Sequence, residues 1–137
     1  MRPSIIADSS GLVSLISNTD QNHKIALNVA RELQKTQGSI IVPGDVFSET
    51  INVIGKKISH DSAVTAGKEI LNSQVFLIVE GNDEIRKKSF ELFIVQAQSV
   101  SFIDCVVMAF ADQFKTKSIF GFDQIFHKSK YMRLGLD

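Results

Sequence analysis

Short apolar segments alternate with segments of helical periodicity along this 137-residue chain, and this alternation restricts the fold more than any other feature. Short apolar runs between such segments are typical of buried strands. We predict strands over SIIA (4–7), SIIVP (39–43), QVFLIV (74–79) and KSIFGF (117–122). With a fifth strand near the C-terminus, the sheet has four to five strands.

The segments between the strands predict helices. Their predicted ranges are 10–17, 22–37, 44–57, 61–73, 82–98, 101–114 and 123–130. The clearest pattern lies in 82–98, where Phe90, Phe93, Ile94 and Ala97 follow i, i+3, i+4, i+7 spacing. Strands that alternate with helices predict an α/β fold with three layers, α/β/α, around a mainly parallel sheet. One domain is expected over residues 1–137.

Composition excludes several classes of protein. Fifteen basic and fifteen acidic residues balance, so net charge names no partner, although a basic excess between Lys115 and Arg133 leaves phosphate binding open. Cys105 is the only cysteine, which excludes an intrachain disulfide and a multi-cysteine zinc site. No apolar run reaches the roughly 18 residues of a membrane-spanning helix, and the N-terminus lacks a signal-peptide pattern. We therefore expect a cytoplasmic protein without a membrane partner.

Four acidic residues have positions that lead to one edge of the predicted sheet. Asp8 follows the first strand and Asp123 follows the fourth. Glu49 lies in the first turns of the helix after the second strand, and Asp104 opens the helix that leads to the fourth. Because ligands of parallel sheets bind beyond the carboxyl ends of the strands, we expect these carboxylates to share a cleft.

Clustered carboxylates need a counterion, because like charges at short distance repel. Hard oxygen ligands favour Mg²⁺ or Mn²⁺. Two such ions about 4 Å apart can activate water and stabilise both oxygens of an in-line displacement at phosphorus. The pattern therefore favours phosphodiester hydrolysis over zinc chemistry.

Each acid also has a structural interpretation. Asp8 and Asp123 could each be the N-cap of the helix that follows. Ser101 and Asp104 form a capping-box pattern with Asp in place of Glu or Gln. Glu49 alone could be a surface residue. The residues by themselves leave both interpretations open.

Four motifs in order resemble the PIN-domain ribonucleases, most closely the VapC-type toxins of toxin–antitoxin pairs. The motifs are IIADSSGLVSLI, IIVPGDVFSETINVI, AQSVSFIDCVVMAFA and SIFGFDQIF, and they span almost the whole chain. The resemblance implies a metal-dependent endoribonuclease that leaves a 5′-phosphate and a 3′-hydroxyl. It also implies a homodimer and inhibition by a VapB-like antitoxin whose tail enters the cleft.

The resemblance assigns roles to five residues. Asp8, Glu49, Asp104 and Asp123 would hold Mg²⁺ or Mn²⁺, directly or through bound water. Ser10 would orient Asp8 or the attacking water.

Two positions depart from the family pattern. Gly121 stands where a Thr or Ser is usual, so a hydroxyl that would tune metal affinity is expected to be missing. Ile125 stands where some members carry a further acid. A PIN fold that binds RNA or protein without cutting is therefore the alternative. A haloacid-dehalogenase phosphatase would need a second Asp where Ser10 stands, and no P-loop is present.

Overall fold

The computed structural model describes residues 4–137; residues 1–3 of the predicted domain lie outside this range. Strands and helices alternate within it: β1 (Ile5–Ala7), α1 (Ser9–Ile16), α2 (His23–Lys35), β2 (Ile40–Pro43), α3 (Gly44–Lys57), α4 (His60–Leu71), β3 (Phe76–Val79), α5 (Asp83–Ile94), α6 (Phe102–Gln113), β4 (Ser118–Phe120), α7 (Gln124–Lys128) and β5 (Met132–Arg133).

The strands of the described range form one sheet in the order β3-β2-β1-β4-β5. Every neighbouring pair is parallel, and Ile6 of β1 aligns with Ile41 of β2 on one side and Ile119 of β4 on the other. The predicted α/β fold with a parallel sheet is therefore confirmed, including the fifth strand.

Burial along the central strands shows that helices cover both faces of the sheet. Consecutive strand residues point to opposite faces, yet every residue of β1 and β2 is buried. Helix α6 packs against β1 and β2 and is itself covered by α5, while α1 packs between α2 and α3. No helix within residues 4–137 is both long and apolar enough to cross a membrane.

Helix α3 covers Gly44–Lys57, the range that its sequence predicts. Asp45 lies in its first turn, and Pro43 occupies the N-cap position. The carboxylate of Glu80 lies against Gly44, in space that any Cβ at this glycine would enter. A negative charge at this place is stabilised by the helix dipole, which replaces the side-chain cap that Pro43 lacks.

The clearest predicted helix is present, but its apolar stripe does not face the core. Helix α5 ends at Ile94, before Ala97, and the residues that it buries are Ile85 and Ser89. Phe90 is 57% exposed and Ile94 is 65% exposed. Periodicity located the helix, but the apolar stripe that revealed it lies on the exposed face.

Candidate active site

The four predicted acids follow strand ends or open helices at the carboxyl edge of the sheet. Asp8 is the N-cap of α1 directly after β1, and its backbone N–H still bonds the carbonyl of Phe120 at the end of β4 (2.9 Å). Asp123 is the N-cap of α7, which follows β4. Asp104 lies in the first turn of α6, and Glu49 lies near the start of α3.

Each of the three aspartates uses a carboxylate oxygen to cap a helix. Asp8 Oδ2 accepts from the N–H of Ser10 (3.2 Å) and from its hydroxyl (2.6 Å). Asp104 Oδ2 accepts from the N–H of Ser101 (3.0 Å), which completes a capping box. Asp123 Oδ1 accepts from the N–H of Ile125 (3.0 Å). The capping interpretation is thus correct for all three, and it leaves the second oxygen of each carboxylate for another ligand.

Electrostatic interactions connect the four acids into one cluster. The pKa of Asp8 is raised to about 6 by burial and, to a smaller extent, by the negative charges of Asp104 and Glu49, against the two hydrogen bonds from Ser10. Burial also raises the pKa of Asp104, with a further rise from Asp123. The pKa of Glu49 is raised by burial and by the charge of Asp104. Each acid therefore lies within electrostatic range of at least one other, and burial together with neighbouring charge disfavours the ionisation of Asp8, Glu49 and Asp104.

Two neighbouring serines, Ser9 and Ser10, stabilise the charged forms of Glu49 and Asp8. The Ser10 hydroxyl donates to Asp8 and accepts from the N–H of Phe122 (3.0 Å), so it connects the ends of β1 and β4. Ser9 hydrogen-bonds Glu49, which lowers the pKa of that carboxyl against the larger effect of burial. The sequence prediction included Ser10 but missed Ser9, although its position in Asp8-Ser9-Ser10 was a signal.

The structure gives a reason for glycine at position 121 that the family pattern did not suggest. A Cβ at this position would lie 2.6 Å from the Cβ of Asp8 and 3.3 Å from the Ser10 hydroxyl oxygen. Glycine therefore lets β4 approach the buried Asp8 closely. Although position 121 carries no hydroxyl, the nearby Ser10 hydroxyl donates a hydrogen bond to Asp8.

The basic residues near the C-terminus are not equally available. Lys128 and Lys130 are exposed, but the Arg133 side chain is only 13% exposed and pairs with Asp137 at 2.8 Å. Lys117 lies over the ring of Tyr131, 4.9 Å from its centroid. The expected basic cluster thus contains fewer free cations than the sequence implied.

The donor set fits a hard divalent cation. Within residues 4–137, no group of three or more His, Cys, Asp or Glu side chains is arranged so that it could already hold a metal ion. The four clustered carboxylates nevertheless offer only oxygen donors, and the 4% exposed Asp8 has no lysine or arginine among the groups that shift its pKa. A buried carboxylate in such surroundings is stabilised most directly by a metal ion.

A comparison with known protein families identifies the family of this chain. The PIN domain model matches residues 5–130. The chain belongs to the PIN domain family. The motif resemblance is therefore confirmed, and the PIN fold explains why acids from distant segments converge at one sheet edge.

A solved structure has the same fold. The VapC20 toxin of Mycobacterium tuberculosis, described as cleaving the sarcin–ricin loop, superposes with a TM-score of 0.82 at 19% sequence identity. The match covers 95% of this chain and 98% of that toxin. No curated protein matches the sequence. At this identity the likeness establishes the fold, so this chain is a PIN domain with the architecture of a VapC toxin.

Proposed function

We propose that this chain is a Mg²⁺- or Mn²⁺-dependent endoribonuclease that hydrolyses phosphodiester bonds in RNA and acts in the cytoplasm as the toxin of a toxin–antitoxin pair. The observation that carries the proposal is the electrostatic cluster around Asp8. Three carboxylates, those of Asp8, Glu49 and Asp104, have a pKa raised by burial and by neighbouring acids; such groups are costly to a fold, and such costs concentrate at functional sites.

The proposed roles follow from the contacts of each residue. Asp8, Glu49, Asp104 and Asp123 would hold the metal ions through oxygens that do not cap helices. When bound, the metal supplies activated water and stabilises charge on the leaving oxygen. Ser10 holds Asp8 in one orientation through its 2.6 Å hydrogen bond. Asp123 is exposed and Glu49 is half-buried, so the edge is open to a polymer.

Cleavage of total cellular RNA tests the proposal. The purified chain, freed of any partner, would be assayed with Mn²⁺, with Mg²⁺ and with chelator. Asp8→Asn should abolish metal-dependent cutting, because it removes a charge from the cluster and keeps the helix cap. Asp45→Asn is the matched control: it removes an exposed acid of α3 outside the cluster and should leave the rate unchanged. Equal cutting by wild type and Asp8→Asn would contradict the proposal.

The alternative is a PIN domain that binds RNA or protein without cutting. Gly121, which lacks the hydroxyl usual in the family, favours this alternative, whereas the hydrogen bond from the Ser10 hydroxyl to Asp8 favours an intact site. RNA binding without cleavage under either metal would support this alternative.

An antitoxin of the VapB type is the proposed protein partner. The open, acidic edge would accept a basic segment that neutralises the carboxylates and excludes RNA. Co-expression with the product of a neighbouring reading frame should yield a stable complex that lacks ribonuclease activity. A neighbouring product that neither binds nor inhibits would count against this partner.

We also propose that the chain forms a homodimer through the exposed apolar patch of α5 and the start of α6. Its members are Phe90, Phe93, Ile94, Val95 and Phe102. Together they expose on the order of 500 Å² of apolar area, at about 200 Å² per fully exposed large side chain. A standard interface buries about 800 Å² per partner, of which roughly two-thirds is apolar in homodimers. The patch therefore has the area of one half of such an interface.

Light scattering after size exclusion tests the dimer. The double variant Phe90→Glu, Ile94→Glu should convert a dimer into a monomer. Leu71→Glu is the control, because Leu71 is 63% exposed on α4, outside the patch. A wild-type chain that remains monomeric at high micromolar concentration would reject a dimer at this patch.

A further inference from the structure

Both backbone polar groups of Phe122, the residue before Asp123, are hydrogen-bonded. The Phe122 N–H donates to the Ser10 hydroxyl (3.0 Å), which in turn donates to Asp8. On the other side, the Phe122 carbonyl accepts from Nη1 of Arg133 (3.2 Å). Phe122, which directly precedes Asp123, is thus held by Ser10, which also bonds Asp8. It is held as well by Arg133, which lies outside the cluster of four acids.

Arg133 is itself fixed by Asp137. Its Nε donates to Oδ2 of Asp137 (3.0 Å), its Nη2 donates to Oδ1 (2.8 Å), and its backbone N–H also donates to Oδ2 (2.9 Å). His127 Nδ1 lies 3.1 Å from the same Oδ1. Two parallel bonds to a carboxylate hold a planar guanidinium in one orientation.

We propose that the Arg133–Asp137 pair positions Asp123 by holding the Phe122 carbonyl, and that it thereby strengthens metal binding at the carboxylate cluster. The second part rests on the function proposed above. In this proposal both residues act through the Phe122 carbonyl and are therefore positioning residues.

Three observations support this role over phosphate binding. The Arg133 and Asp137 side chains are only 13% and 15% exposed, so the guanidinium is not free to reach a phosphate. Arg133 keeps Nη1 directed at the loop that carries Asp123. Asp123 is also among the charges that raise the pKa of Arg133, after the hydrogen bond with Asp137, so the cation lies within electrostatic range of the carboxylate that it would position.

The test uses Arg133→Ala and Asp137→Asn in the full chain. The control is Arg86→Ala, which removes an exposed arginine that pairs with Asp83 at 3.8 Å on α5. Hydrogen exchange of residues 122–126 is measured without metal, Mn²⁺ affinity is measured by calorimetry with the metal alone, and RNA cleavage is followed over a range of Mn²⁺ concentrations.

Both variants should speed exchange at 122–126 by about tenfold and leave 5–7 in β1 unchanged. Mn²⁺ affinity should fall about tenfold, as is common when a group that orients a metal ligand is lost. The Mn²⁺ concentration for half-maximal cleavage should rise by the same factor, whereas the rate at saturating Mn²⁺ should recover. The control should match the wild type in all three measurements.

Other results would overturn the positioning role. Unchanged exchange and Mn²⁺ affinity with weaker RNA binding would make Arg133 a phosphate ligand. Faster exchange throughout the chain with unchanged Mn²⁺ affinity would make the pair a general stabiliser. A wild-type chain that binds no Mn²⁺ would refute the proposed function instead, and local exchange at 122–126 would still decide whether the pair holds this peptide.

Discussion

Asp8 shows how one residue serves the fold and the site at once. Its Oδ2 caps α1, which stabilises the chain, but its burial raises the pKa to about 6, which destabilises the charged form. A structural cap alone would not require burial beside other acids. The proposed metal ion would resolve this conflict, because it would stabilise the charged form of Asp8.

The metal-free chain should gain stability from Asp8→Asn at neutral pH. Asparagine keeps the N-cap and removes the buried charge. A pKa raised from 3.8 to about 6 means that the folded state binds the proton more tightly, so the wild type loses up to about 3 kcal/mol as pH rises from about 4 to 6. Urea unfolding should show little difference between the two chains at pH 4. At pH 7.5 the Asp8→Asn variant should be more stable than the wild type by about 2 kcal/mol.

The reverse order of stability at pH 7.5 would mean that Asp8 is paired with a cation even without metal. Saturating Mn²⁺ should invert the comparison, because it stabilises only a chain that binds it.

Gly121→Thr should impair the protein even though it restores the usual family residue. The new Cβ would lie 2.6 Å from the Cβ of Asp8, in a buried region that cannot expand freely. Overpacking of this kind costs about 1–3 kcal/mol, and the displacement of Asp8 should also lower Mn²⁺ affinity. Calorimetry and thermal unfolding would measure both effects.

Gly55→Ala provides the comparison for Gly121→Thr. A Cβ at Gly55 would meet only the Cβ of Ala63, at an ordinary 3.7 Å, within helix α3. This variant should unfold at the wild-type temperature or above, because alanine favours helices. A Gly121→Thr chain as stable and as active as Gly55→Ala would show that β4 can move away from Asp8.

At the scale of elements, the sequence predicts which segments are strands and helices better than it predicts their contacts. Apolar runs located the first four strands because buried parallel strands are apolar on both faces. In α5, Phe90 and Ile94 follow a regular helical pattern, yet both lie on the exposed face of the helix. Periodicity identifies an apolar face, but only packing decides what that face contacts.

The two faces of α5 should respond differently to substitution. Ile85 is 6% exposed, so Ile85→Ala should lower the free energy of unfolding by about 2–4 kcal/mol. Phe90→Ala should cost the isolated chain less than about 0.5 kcal/mol, because Phe90 is exposed. Urea unfolding at two protein concentrations tenfold apart would separate the two effects. If the patch joins two copies, the loss of stability caused by Phe90→Ala should depend on protein concentration. The loss caused by Ile85→Ala should not.

The same limit applies to the candidate site. The four acids could be found because strand ends and helix starts bring such residues to one edge in any parallel sheet. The pairing of Arg133 with Asp137 and the contact between Gly121 and Asp8 could not be found, because they depend on how β4 and the C-terminal segment pack. Residue type and local spacing carry no information on those distances.

For the whole molecule, the distribution of charge matters more than its sum. The chain is neutral overall, so RNA binding would depend on exposed lysines near the acidic edge. Lys128 and Lys130 follow Asp123 closely and are exposed. Lys128→Glu with Lys130→Glu should weaken RNA binding at low salt and reduce its salt dependence, since fewer phosphate contacts release fewer counterions.

The matched control is Lys24→Glu with Lys35→Glu, which changes the net charge equally on α2, away from the site. Titration of a labelled RNA at several salt concentrations would compare the two. Similar losses for both double variants would indicate that net charge, and not these two lysines, governs binding.

Hydrogen bonds between residues far apart in the sequence have a consequence for the synthesis of the chain. Ser10 and Phe122 are bonded although 112 residues separate them, and the same separation applies to the bond between Thr116 and Ser4. Contacts between such distant segments cannot form until both have left the ribosome. Asp8 and Asp123 can therefore come together only after the segment that contains Asp123 has left the ribosome. If the chain cuts RNA, the nascent polypeptide is harmless to the message and the ribosome that produce it.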